Sequence, residues 1–235
     1  MSEPVSIPRR FNGPLDSGNG GYCSGVFASV LNGPAEVSLR RPIPLDTRLD
    51  VVRKSDGSVR VLDGEALVAE ARLAPELKVD VPAPVSPNEA RLATARYRGG
   101  LEGPFCRCFV CGRAREDAFG VFAGAVAGRQ LVASPWTPPS WTANAAGDVL
   151  PEFVWAVLDC PASWAAYIDA DAPVGVLARL TARIDAPVVA GEEHVVIGWP
   201  METAGRKRHA GSALLSRDGE PLAVARALLI EPREG

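Results

Sequence analysis

The chain has 235 residues, 47% hydrophobic and 23% charged, enough for one large packed domain or two small ones. Its 25 basic and 28 acidic side chains leave a net charge of −3, and the basic ones are scattered, which excludes the concentrated basic face of a nucleic-acid binder. There is no apolar run of about 18 residues for a membrane helix, and the opening MSEPVSIPRRF lacks an apolar leader core, so a cytoplasmic chain is expected; an odd count of 5 cysteines fits reduced thiols.

In chain order, the first feature is a glycine-rich stretch, DSGNGGYCSGVF at 16–27, where Asn19 sits among Gly18, Gly20 and Gly21. It opens an apolar helix over Tyr22–Leu31 that Asn32-Gly33-Pro34 ends. Glycine in such a place signals a sharp turn or a close approach. Strand-like segments follow: AEVSLRRPIP, TRLDVVRK, SVRVLDG and EALVAEARLA. The region 75–104 carries Pro75, Pro82, Pro84 and Pro87 and reads as a connector, helical at SPNEARLATARY. CRCFVCG, FGVFAGAVAG and QLVASPWTP then suggest one or two extra strands and a loop. A second apolar helix, LPEFVWAVLDCPASWAAY at 150–167, precedes VGVLARLTARIDAP, EEHVVIGWPME, HAGSALLSRDG and EPLAVARALLIEP. Asp-Gly-Glu occurs at 63–65 and again at 218–220, each time opening an apolar strand, a short internal repeat. The predicted organisation is an N-terminal half at 1–78, a linker at 79–104 and a C-terminal half at 105–235.

One helix followed by consecutive strands, twice over, resembles the hotdog fold. NGGY at 19–22 resembles the Asn-Gly-Gly or His-Gly-Gly helix start of hotdog acyl-CoA thioesterases. CFVCG at 108–112 resembles a segment of the phenylacetyl-CoA thioesterase-like branch, and VLDCPASWA at 157–165 the part of the central helix where that branch places its catalytic acid. The resemblance covers most of the chain. It implies an α+β double hotdog, two central helices each wrapped by an antiparallel sheet, with the halves joined side by side.

The resemblance also implies an acid about nine positions after the first motif residue, yet nine after Asn19 stands Ala28, and nine before Asp159 stands Leu150. The first half keeps the glycines without the acid; the second keeps the acid with Leu150-Pro151-Glu152 where the glycines would be. A single composite site is therefore expected, Asn19-Gly20-Gly21 facing Asp159. The implied activity is hydrolysis of an acyl-CoA or acyl-carrier thioester, without a cofactor, and a homodimer is left open. A non-catalytic acyl-CoA or lipid-binding protein is the alternative. A hydratase would carry a histidine near the helix start, and neither His194 nor His209 is there.

Helix-start N–H groups carry partial positive charge and suit the oxygen of a thioester carbonyl as it becomes negative. The N–H of Gly21 or Tyr22 is the expected donor. Asp159, set among apolar neighbours, either acts on water or the thioester carbon or caps the break made by Pro161. Asn19 either binds substrate or caps the helix. Phe27, Trp141, Phe153, Trp155 and Trp164 would line an acyl tunnel or simply fill the core. Arg206, Lys207 and Arg208 would meet coenzyme A phosphates or form a solvated hairpin tip. Cys106, Cys108 and Cys111 form C-x-C-x-x-C with no fourth ligand nearby, and Cys23 and Cys160 read as small core residues, so no metal is expected.

Overall fold

The structure, a computed structural model, describes residues 4–170 and 174–231. The elements run β1 (Val5–Ser6), α1 (Gly20–Ala28), β2 (Ala35–Leu39), β3 (Arg48–Arg53), β4 (Val59–Asp63), β5 (Ala66–Leu73), α2 (Pro87–Thr94), β6 (Gly124–Ala125), β7 (Val132–Trp136), α3 (Pro151–Ala165), β8 (Val176–Ile184), β9 (His194–Ala204), β10 (Lys207–Leu215) and β11 (Pro221–Ile230). The chain is thus α+β, and its strands form one antiparallel sheet of 11 in the order β1-β3-β4-β5-β2-β8-β11-β10-β9-β7-β6.

That order contains the same path twice. Each long helix is followed by a strand at the seam, then by three strands that return towards it, giving β2-β5-β4-β3 on one side and β8-β11-β10-β9 on the other. The seam is β2 against β8, with Val37 opposite Leu180. The repeated Asp-Gly-Glu falls at equivalent places, the β4–β5 and β10–β11 turns. Its glycines, Gly64 and Gly219, have φ of 57° and 90°, where a side chain would strain the backbone. Beyond the two repeats, β1 extends one edge and β7 and β6 the other. The strand β1 has no counterpart in the sequence reading, being only two residues of pairing, Val5 with Leu49 and Ser6 with Arg48.

α1 and α3 lie on one face of the sheet. Both are apolar almost all round, which suits helices covered on every side. They run antiparallel and touch at glycines. A Cβ on Gly21 would come within 2.6 Å of Asp159 Cβ and 2.9 Å of Ala156 Cα, and one on Gly25 within 2.5 Å of Glu152 Cα. The glycines of the opening stretch therefore first serve the approach of a second helix. α2, held by a capping box of Ser86 and Glu89, is a third helix in the connector. It packs on the second half's sheet, Ala90 and Ala93 joining Leu131, Val195 and Ile197 in a separate apolar cluster.

Candidate active site

The antiparallel contact sets the start of α1 against the middle of α3. Asn19 is the N-cap of α1, its Oδ1 accepting the N–H of Tyr22 at 2.8 Å. Asp159 projects from α3 to the same helix start, and the Gly21 N–H donates to its Oδ2 at 2.9 Å. Its other oxygen, Oδ1, accepts from Ser163 Oγ at 3.1 Å, one turn along α3. Asp159 is only 5% exposed. Burial pushes its carboxyl up to about 7, against the pull of the Gly21 N–H; the nearby Cys108 raises it further and the Ser163 hydroxyl lowers it.

Two of the four first-turn N–H groups of α1 are thus engaged by side chains, Gly21 by Asp159 and Tyr22 by Asn19, while Cys23 N–H bonds the Asn19 carbonyl. Among the described residues, the Gly20 N–H meets no acceptor. The expected donor is corrected accordingly. Gly21 and Tyr22 are occupied, and Gly20 is the one left to receive a new oxygen.

A cavity of about 690 Å³ reaches these groups. Asn19, Gly20, Asp159 and Ser163 form one wall; Leu39–Ile43 and Val174–Ala178 form others. Both flanking sheet segments come from the seam strands or run into them, so the cavity lies between the two helix-and-strand repeats. Of the aromatic side chains expected along a tunnel, Trp164 borders the cavity, with Phe105 beside it. Phe27, Phe153 and Trp155 are buried in the main core, and Trp141 lies 5.3 Å from Phe153 at the core's edge, 45% exposed. Tyr22 turns its ring away too, stacking on Phe11 at 4.2 Å. Burial, then the charge of Glu152, holds its phenol above the ordinary value.

Arg206, Lys207 and Arg208 also lie off the cavity wall, at the β9–β10 turn. The reason is local pairing: Arg206 Nη2 donates to the Glu231 carbonyl at 2.6 Å and Arg208 Nε to its carboxylate at 2.5 Å. The arginines at the cavity are instead Arg40 and Arg41. A smaller adjoining groove shares Leu15 with the cavity and is lined by Arg9, Arg10, Arg107 and Arg115. The groove has no linear signature, because Arg9 and Arg10 meet Arg107 and Arg115 only through the fold.

Beside Asp159 lie three thiols. Cys108, Cys111 and Cys160 are buried, line the cavity and hold their sulfurs within 4.8 Å of one another. Cys108 is held below the ordinary thiol range by bonds from the Cys111 and Cys160 thiols, which are themselves pushed up. Cys106, the first residue of C-x-C-x-x-C, is not part of this group.

No protein-family model matches the sequence, and no curated protein matches it. Solved structures do. A candidate thioesterase of Novosphingobium aromaticivorans is 11% identical with a TM-score of 0.63, over 98% of this chain and 95% of its own. A candidate thioesterase II of Thermobifida fusca is 12% identical with a TM-score of 0.60, over 98% and 93%. The tesB protein of Mycobacterium avium subsp. paratuberculosis is 13% identical with a TM-score of 0.57, over 91% and 84%. At these identities the likeness is one of fold: this chain shares the fold of these three proteins.

Proposed function

We propose that the chain is a double hotdog hydrolase that cleaves an acyl thioester at one composite site, with halves at 1–78 and 105–235 and the linker 79–104 between them. The observation that carries this reading is the 2.9 Å bond from Gly21 N–H to Asp159 Oδ2. It joins residues 138 apart in the chain at the wall of a cavity large enough for an acyl group. The glycine helix start comes from one half and the acid from the other.

In this reading the thioester carbonyl oxygen is received by the free Gly20 N–H at the positive end of α1. Asp159 takes a proton from a water that attacks the carbonyl carbon. The carbon–sulfur bond breaks, the acid forms, and the proton leaves with the thiol. Ser163 and the Gly21 N–H hold the carboxylate in place for that transfer. Arg41 at the cavity and Arg10 and Arg107 in the adjoining groove supply positive charge for a phosphorylated carrier such as coenzyme A, while Arg40, Arg9 and Arg115 are paired with Glu70, Asp46 and Asp117.

The test is release of free thiol from short, long and aromatic acyl-CoAs by wild type, Asp159→Asn and Gly20→Pro. Proline suits the first helical position, and α3 already has Pro151 there, so Gly20→Pro deletes one N–H and keeps the helix start, though its Cβ falls 2.7 Å from Leu177 Cδ2 and 3.3 Å from Asp159 Oδ2. Asn19, at φ −63° and ψ 131°, is already in the conformation that a following proline requires. Each substitution should lower turnover by about 10²–10³. Binding of acyl-CoAs by the wild type without turnover would overturn the hydrolase and favour the binding protein.

A further inference from the structure

We propose that Cys108, Cys111 and Cys160 form a binding site for a thiophilic metal ion, zinc above all, with its fourth position open to the cavity. The sequence shows only a C-x-x-C pair; the fold supplies the third sulfur from α3, 49 residues further on (160 − 111). Zinc bonds thiolate sulfur at about 2.3 Å, which in a tetrahedron sets the sulfurs about 3.8 Å apart. Here Cys108 Sγ and Cys160 Sγ are 3.9 Å apart, and the third sulfur lies within 4.8 Å of both. The three ligands are thus already gathered to near bonding geometry.

The scaffold around them is fixed from several sides. Residues 108–112 fold into a tight turn closed by Gly112 N–H to the Cys108 carbonyl at 2.8 Å. A side chain at Gly112 would strike that turn, its Cβ falling 2.5 Å from Cys108 N. Phe109 N–H bonds the Asn12 carbonyl, and Tyr97 Oη donates to the Cys111 carbonyl at 2.7 Å. An independent observation is Asn19, whose Nδ2 points at both Cys108 Sγ (3.7 Å) and Cys160 Sγ (3.9 Å). Such an N–H donor beside two sulfurs is what stabilises thiolate ligands in a metal's outer shell. Soft sulfur donors select zinc or copper(I) over magnesium, calcium or manganese. Three protein ligands and one open position define a site that can still take water or substrate. Binding releases the three thiol protons to solvent.

The site does not depend on the hydrolase reading, and its test reads metal rather than turnover. Full-length protein is incubated with zinc under reductant, desalted and measured by elemental analysis. Parallel samples take cobalt(II), whose sulfur-to-metal charge-transfer absorption reports thiolate ligation, and copper(I). The expected result is one metal per chain, lost in Cys108→Ser, Cys111→Ser and Cys160→Ser and kept in Cys106→Ser. Less than a tenth of a metal per chain in folded wild type would overturn the proposal. So would stoichiometric metal that all three serine variants retain, or a Cys108–Cys160 disulfide that forms in the presence of zinc.

Discussion

Asp159→Asn should stabilise the fold at neutral and alkaline pH while it lowers the proposed turnover by about 10²–10³. Burial raises the carboxyl from 3.8 to about 7. Between these values the unfolded chain has released a proton that the folded chain keeps, so stability falls as pH rises. Below about 4 both states are neutral and the cost vanishes; above about 7 both are ionised and the cost is complete. At about 1.36 kcal/mol per pH unit, that full cost is roughly 4 kcal/mol. Asparagine has nearly the same shape, stays neutral, and its oxygen can still accept the Gly21 N–H. Urea unfolding of both proteins, reduced and stripped of metal by chelator, measures the difference. The advantage of Asp159→Asn should grow by roughly 2–3 kcal/mol between pH 5 and pH 8. Parallel stability curves for the two proteins, with no pH-dependent gap, would refute the assignment of a costly buried carboxyl. Under the proposed function, chemistry at the cavity is the reason a group that weakens the fold in its ionised form is held there.

Three further outcomes are expected. Gly25→Ala places a methyl 2.5 Å from Glu152 Cα and should destabilise the chain by about 1–3 kcal/mol in urea titrations, leaving the Asp159–Gly21 bond in place. Ser163→Ala leaves Asp159 Oδ1 without its hydroxyl donor and should lower kcat/KM about fivefold, the equivalent of ~1 kcal/mol, with little change in stability. If Asp159 is the general base, kcat/KM of the metal-free protein should rise through about pH 7 and level off above it, a profile read from thiol release at saturating buffer capacity.

Much of the fold is legible in the sequence because alternation and turns are local signals. Six of the eight strands that follow the two long helices fall within the segments read from apolar runs between Gly, Asp and Pro; β9 and β10 each run two residues further, to Ala204 and from Lys207, into the polar hairpin, and the Asp-Gly-Glu repeat lies at matching turns. β1 and β6 are two residues each, too short for a pattern to show. The site is less legible. Asn19, Gly20 and Asp159 do meet, since their helix-relative spacing is itself a sequence property. Which N–H remains free is not, because it depends on where Asp159 and Asn19 spend their oxygens. The aromatic residues mislead for a related reason. Spacing says that they share a helix face, but whether the face meets a cavity or the sheet is decided by distant strands. Cys160 joins Cys108 and Cys111 only through the fold, so the thiol cluster has no linear signature beyond C-x-x-C.

The two helix starts, set side by side, bear on the proposed single site. Aligned on their caps, Asn19 corresponds to Leu150, Gly20 to Pro151 and Ala28 to Asp159. Two members of the second set, Pro151 and Ala28, suit a helix, whereas Leu150 sits at the α3 N-cap with no side-chain bond. Proline is favoured at the first position, where its missing N–H costs nothing, and alanine at 28 is the best helix former. In the opposing set Asn19 is a favourable N-cap, while Gly20 and Asp159 cost stability. Glycine in a helix is about 1 kcal/mol worse than alanine, and a carboxylate at the position of Asp159 is buried. The costs of Gly20 and Asp159 fall where the Gly20 N–H, the Asp159 carboxylate and the cavity coincide, which supports the proposed single site.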